Sequence, residues 1–251
     1  MHVKILRIWV TLWALFAAAI ASAADLSNLS ETDRKAFGQE VKRYLMENPE
    51  VIFEAVDAFK AQQAASEAQN DFALVQQYSA ALFDDGFSYQ GGNLEGDITL
   101  VEFVDYRCGY CRKAHDEVAQ LVQSDGNIRF ILKEFPILGD QSVISSRFAI
   151  ATRMVAGDAA YKSVHDALIA FKGTVGPESL SRLAADLGLD AAPILAKLDS
   201  DEVTAVIRDT HQLAARLQIN GTPTFVLGEQ MLRGYVPLDG MKKLVAEIRA
   251  Q

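Results

Sequence analysis

Residues 98–104, Ile-Thr-Leu-Val-Glu-Phe-Val, form a near-continuous apolar and β-branched run, and two cysteines follow it at positions 108 and 111. Such a run reads as a buried central strand of the kind covered on both faces. Arg112 to Val122 then carries helical spacing through His115, Val118, Leu121 and Val122, and Ile128 to Phe135 is a second strand ending at Pro136. Strand, helix and strand at this spacing make a βαβ unit, which predicts parallel pairing. Cys108 therefore falls at a strand-to-helix junction, as the helix cap or in its first turn, and Cys111 one turn inside.

Cys108 and Cys111 are the only cysteines in 251 residues. That excludes a disulfide-stapled scaffold or a Cys-rich zinc module. A disulfide across so small a loop removes little entropy from the unfolded chain, so a structural staple explains the pair poorly. At a helix start, unpaired amide N–H groups and the helix dipole favour an anion. The Cys108 thiolate is thus expected to be stabilised, with Cys111 placed to attack a mixed disulfide formed on Cys108. A zinc site would need two further ligands. His115 lies one turn beyond Cys111, but there is no second cysteine pair, so no structural zinc is expected. Two thiolates can hold copper(I), which leaves a copper-binding reading open. His165 and His211 fall on predicted helices and read as surface or satisfied core residues. No Gly-rich phosphate loop or Ser-His-Asp arrangement appears, and no cofactor is expected.

The first 23 residues differ from the rest. His2, Lys4 and Arg7 precede an apolar stretch from Ile8 to Ile20, and Ala21-Ser22-Ala23 follows. A basic start, a short apolar run and an A-x-A end read as a cleaved secretory signal peptide. The run is shorter than the roughly 20 residues that span hydrocarbon. Cleavage removes two positive charges from a net −9, leaving −11, and removes both tryptophans, Trp9 and Trp13. An exported chain meets conditions in which disulfides form, and the periplasm is the expected compartment. Half the residues are apolar and 23% are charged, an ordinary globular balance. No basic stripe is present, so no nucleic-acid partner is expected.

Residues 24–86 read as a helical arm. Ser30 with Asp33 three residues on resembles a helix cap. Phe37, Val41, Tyr44 and Leu45 recur at helical spacing, Asn48-Pro49 ends one helix and starts another, and Ile52, Val56 and Phe59 form a second stripe. Ala61 to Asn70 is Ala/Gln-rich and nearly stripe-free. With so little apolar surface the arm must pack on the main domain or on another copy of the chain. Gly91-Gly92 and Glu95-Gly96-Asp97 read as turns. Residues from about 140 to 219 are helical again, with stops at Gly157, Gly173 and Gly188. Strands return at Thr222–Leu227 and Met231–Tyr235, joined at Gly228-Glu229-Gln230, before a helix from Val236 to Arg249.

Asn220-Gly221-Thr222-Pro223-Thr224-Phe225 places a proline at a strand start, where a cis Thr-Pro bond is possible. This segment and Phe103-Val104-Asp105-Tyr106-Arg107-Cys108-Gly109-Tyr110-Cys111 together resemble the DsbA-type thioredoxin-fold oxidoreductases. The resemblance covers about residues 87–251. It implies an α/β thioredoxin fold with an inserted helical domain, here with an N-terminal helical extension. Tyr44-Leu45-Met46-Glu47-Asn48-Pro49-Glu50-Val51-Ile52 resembles the ScsC-like (suppressor of copper sensitivity) subgroup, whose arm mediates self-association. The resemblance implies an exposed nucleophile at Cys108, a buried resolving thiol at Cys111, and substrate-binding groups at Thr222 and Pro223. It also implies a buried acid at Glu102; Lys133 on the neighbouring strand reads as an ordinary exposed lysine, with pairing to Glu102 as the alternative. Glu102, Gly109 and Tyr110 would tune the redox balance. A Gly-Tyr dipeptide lacks the histidine of strongly oxidising members, which points to isomerase or reductase chemistry. The implied partners are cysteine-containing exported proteins, a membrane redox partner and further copies of the chain.

Overall fold

The computed structural model describes residues 30–250. The signal peptide expected at 1–23 lies outside the described residues. The chain divides into two compact units, with the boundary after Gln62. No helix among the described residues is long and apolar enough to cross a membrane.

The first unit holds α1 (Glu31–Glu47) and the start of α2 (Glu50–Gln77). Ser30 caps α1, its hydroxyl accepting from Asp33 N–H at 3.2 Å. Asn48 closes the helix, because its main-chain N–H and its side-chain amide both donate to the Tyr44 carbonyl. No residue of α1 is buried. Phe37, Val41, Tyr44, Ile52, Phe53, Val56 and Phe59 are all exposed.

The second unit is built on five strands: β1 (Tyr89–Gly92), β2 (Ile98–Val104), β3 (Ile128–Glu134), β4 (Thr224–Leu227) and β5 (Gln230–Arg233). Their order is β1-β3-β2-β4-β5. β2 and β3 pair in parallel, as the βαβ reading requires, and every other pairing is antiparallel. Strand residues alternate between faces. Leu100, Val104, Phe130, Leu132, Phe225 and Leu227 face one apolar cluster, which α4 (Gly109–Asp125) and α5 (Asp140–Ala170) help to cover. Val101, Phe103, Ile131 and Val226 face the other, beneath Val75 of α2, Leu82 of α3 (Ser79–Phe83) and Leu213 of α8 (Asp201–Arg216). The later part of the expected arm therefore packs on the sheet. α6 (Pro177–Asp186) and α7 (Ala191–Lys197) complete the inserted helices, and α9 (Leu238–Arg249) closes the fold. Gly157 (φ 83°) breaks α5 internally, where a stop is expected.

Two expectations are corrected. Gly91-Gly92 is not a turn but part of β1, opposite Phe130 and Arg129. A Cβ on Gly92 would lie 2.4 Å from the Ile128 carbonyl, so the glycine serves close strand approach. Lys133 is neither exposed nor paired with Glu102. Glu102 lies opposite Leu132, whereas Lys133 lies opposite Phe103, which puts the two charges on opposite faces of the sheet. Lys133 is buried against Asp85 and donates to the Ala81 carbonyl at 2.8 Å.

Candidate active site

β2 delivers the chain to the N-terminus of α4, and Asp105 shapes the turn between them. Fully buried, Asp105 accepts from Arg107 N–H (2.7 Å), Ile137 N–H (2.8 Å), Leu138 N–H (3.0 Å) and the Ser142 hydroxyl (2.8 Å). One carboxylate thus joins the active-site turn to the segment after β3 and to the start of α5. Arg112 adds a second tie, donating twice to the Tyr106 carbonyl.

Cys108 is the cap of α4, with extended backbone angles, and its Sγ accepts from Cys111 N–H at 3.4 Å. It is largely covered, at 7% exposure, where the resemblance implies an exposed sulfur; Cys111 is fully buried. Both are free thiols. The Cys108 thiol is pulled down to about 5. The hydrogen bond from the Cys111 thiol contributes most, and the Thr222 side chain and the main-chain N–H groups of Cys111 and Tyr110 add to it, together outweighing burial. Cys111 is pushed far up by the same thiol pairing, by burial and by the charge of Glu102. The two sulfurs are therefore opposites: one readily ionised, the other protonated.

Thr222–Pro223 is a cis peptide at the entrance to β4. Thr222 touches Cys108 with opposing effects. Its carbonyl, 3.1 Å from Sγ, accepts from the thiol and favours the protonated form; its side chain favours the thiolate. Beyond Thr222, Pro223 is buried and Thr224 is held by its hydroxyl donating to the Gly221 carbonyl at 2.8 Å.

Glu102, 4% exposed, lies beneath this surface on β2. Burial first, then the charges of Cys108 and Glu134, raise its carboxyl to about 8. It lines a cavity of about 440 Å³ together with His115, Phe130, Lys162 and His165. Glu134, two positions along from its cross-strand neighbour Leu132, shares this face of the sheet. Its Oε1 accepts from Tyr106 (2.6 Å) and Tyr161 (2.7 Å), while Oε2 has no partner. Burial raises Glu134 to about 7 against those two hydrogen bonds.

In the dipeptide, Gly109 is exposed and a Cβ there would meet nothing within 4 Å. Tyr110 is 62% exposed, and its ring stacks on Tyr235 at 6.2 Å between centroids. Lys113 Nζ lies over the Tyr235 ring at 4.1 Å, and the Tyr235 hydroxyl donates to Glu117. Cys108, Cys111, Glu102, Thr222 and Pro223 are thus brought together, while Tyr110 packs toward Tyr235. Asp105, Tyr106 and Glu134 were not singled out from sequence. The usable signal for Asp105 was a carboxylate directly after a buried run and before a helix start.

The model of the DSBA-like thioredoxin domain matches residues 99–246, and that of the copper resistance protein ScsC N-terminal domain matches residues 33–66. Among solved structures, a thioredoxin-like oxidoreductase from Silicibacter pomeroyi DSS-3 is 37% identical with a TM-score of 0.64, covering 68% of this chain and 98% of that one. Proteus mirabilis ScsC in a compact conformation is 27% identical with a TM-score of 0.63, covering 86% of this chain and 98% of that one. A curated relative, the Na(+)/H(+) antiporter NhaA 3 of Salinispora tropica, is 27% identical over 154 residues, 61% of this chain and 24% of that protein. The chain spans about a quarter of the length of the curated relatives it matches. Sheet order, the position of the cysteine pair and the domain match agree: the chain belongs to the DsbA-like family of thioredoxin-fold thiol–disulfide oxidoreductases, with an ScsC-type domain at its N-terminal side.

Proposed function

We propose that the protein exchanges thiols with protein disulfides in the periplasm through Cys108 and Cys111, and that it acts chiefly as a disulfide isomerase. The observation that carries this is the split between the two sulfurs, one favoured as a thiolate and the other buried with its proton. The Cys108 thiolate attacks one sulfur of a substrate disulfide, forms a mixed disulfide and expels the other substrate sulfur as a thiolate. In isomerisation, another substrate thiolate then attacks the substrate sulfur of the mixed disulfide and regenerates the Cys108 thiolate, with no net change of oxidation state. In reduction, Cys111 gives up its proton, attacks Cys108 Sγ and expels the reduced substrate, leaving the enzyme as a disulfide. Glu102 holds its proton at neutral pH while Cys108 is a thiolate; in the mixed disulfide that neighbouring charge is gone, which favours the Glu102 carboxylate and lets it take the Cys111 proton. Thr222 and Pro223 offer main-chain groups to an extended substrate beside Cys108.

Two features bear on direction. The dipeptide supplies no cation to the thiolate, since Tyr110 stacks on Tyr235. The thiolate is nonetheless held by Cys111 and by amide N–H groups. Stabilising the reduced pair makes the oxidised pair a stronger oxidant, so this hold opposes the missing cation, and isomerisation then depends on a reductant that keeps the pair as thiols. The exposed stripe of Phe37, Val41, Tyr44, Ile52, Val56 and Phe59 supports self-association of the first unit, which would gather several Cys108 sites around one substrate. The redox partner that keeps the pair reduced would be a membrane protein. Copper(I) held by the same thiols is the second reading, favoured by the name of the matched N-terminal domain. Reduced protein mixed with a scrambled disulfide substrate in metal-free buffer separates the two. Catalysed recovery of the native pairings is expected; recovery no faster than with free glutathione overturns the isomerase reading.

A further inference from the structure

Apart from the cysteine pair, the face of α4 that carries His115 meets α5 at a cluster the thiol chemistry does not use. We propose that His115, His165 and Asp166 form a binding site for one borderline divalent cation, zinc or copper(II). Each side chain offers one ligand atom, and the three atoms lie within 4.8 Å of one another. Zinc bonds of about 2.1 Å would hold tetrahedral ligands roughly 3.4 Å apart, so the donors need close by little more than an ångström.

Two independent observations favour a ligand here. First, His165 is set as a donor. The Tyr106 hydroxyl gives its proton to Glu134 at 2.6 Å and lies 3.1 Å from His165 Nδ1. Its oxygen is then free to accept from Nδ1–H, which leaves Nε2 with its lone pair. A ligating histidine usually has its second nitrogen held in this way. Second, His115 and His165 line the 440 Å³ cavity, which leaves room for water at the open coordination position. Imidazole and carboxylate donors without a thiolate suit borderline divalent ions. His115 Nε2 is 3.2 Å from Asp166 Oδ1. The competitor is Lys162, whose Nζ lies 2.7 and 2.6 Å from the two Asp166 oxygens. Lys162 is half-buried at the cavity and must turn away for Asp166 to bind a cation. An ion here would tie the cysteine-bearing helix to the inserted helices.

The test uses the untagged full chain with Cys108 and Cys111 oxidised to their disulfide, so that no thiolate can bind. It is titrated calorimetrically with Zn²⁺ in metal-free buffer. One ion per chain is expected, with affinity falling tenfold or more in His115→Ala and in Asp166→Asn. Lys162→Met should bind several-fold more tightly, an effect that a purely structural cluster would not give. His115 keeps 19% of its side chain exposed whereas His165 is 2% exposed, so replacing His115 tests the site without emptying the core at His165. No uptake by the oxidised chain, or uptake unchanged in both ligand variants, overturns the site. Unchanged affinity in Lys162→Met overturns the assignment of Asp166 as a ligand.

Discussion

At the scale of single residues, the environment of each group, and not its chemical type, sets its role. Two identical thiols three positions apart are driven in opposite directions first because the Cys111 thiol hydrogen-bonds to the Cys108 sulfur, and then because main-chain N–H groups at the helix start reach Cys108 while burial and Glu102 act on Cys111. Cys108 should therefore alkylate with a midpoint near pH 5, with Cys111 unreacted; a rate profile with both thiols titrating near 9 would remove this assignment. Glu102 gives a second test. Its carboxyl ordinarily titrates at 4.5 and is raised to about 8 in the fold. Between these values the folded protein holds a proton that the unfolded chain has released. Stability is therefore lost as pH rises through that window, by at most about 1.4 kcal/mol per pH unit, and the loss stops above 8. Glu102→Gln abolishes this dependence. Denaturant melts should show the variant gaining on wild type from pH 5 to 8 and no further gain above it. In the same variant, Cys111-dependent release of a mixed disulfide should slow on the order of a hundredfold at pH 7. Stopped-flow release kinetics equal to wild type would exclude Glu102 as the proton acceptor.

At the scale of elements, the sheet separates two kinds of buried charge. One face carries Glu102 and Glu134 toward the active-site helix, and the other carries Lys133 toward the residues after α3. Asp85 loses much of its hydration, and Lys133 more than offsets this, keeping the carboxyl below its usual value. Removing one partner of such a pair leaves an uncompensated buried charge. Asp85→Ala should cost about 3–5 kcal/mol in urea melts, and the double variant Asp85→Ala/Lys133→Met should recover most of it. Equal losses in single and double variants would show that the pair is not coupled. The pairing also explains why α3 and the turn after it lie against β3 when five residues of helix cannot persist alone.

At the scale of the whole molecule, the two units differ in how they bury apolar surface. The second has two clusters, one on each face of its sheet. The first leaves its large apolar side chains exposed, Phe59 at 67%. Sedimentation of the full chain should therefore give an oligomer. Charges placed in both stripes, Val41→Glu with Phe59→Glu, should yield a monomer that still alkylates at Cys108 normally. Isomerisation of a multi-disulfide substrate should then fall about tenfold or more through loss of shared effective concentration, while simple dithiol exchange is retained. A wild-type monomer refutes the assembly. An engineered monomer that isomerises as well as wild type refutes the link from assembly to function.

What the sequence determined by itself was whatever depends on neighbours along the chain. The run at 98–104, the cap position of Cys108, the break at Asn48-Pro49 and the stop at Gly157 are all local, set by β-branching, by orphan amides at a helix start and by backbone freedom. The short helix Ala191–Lys197 is not separable within the helical block because its two large apolar residues, Ile194 and Leu195, are adjacent and carry no period. What the tertiary structure alone decided depends on register and crossing. Glu102 and Lys133 lie on adjacent strands, and only the register shows that they point to opposite faces, where no change of rotamer can join them. Gly91-Gly92 read as a turn because the Ile128 carbonyl that requires a glycine there is 36 positions away. Asp105 and Glu134 acquired their roles from partners on other elements. His115 and His165, fifty residues apart on two helices, became neighbours only when α4 and α5 packed against the same face of the sheet.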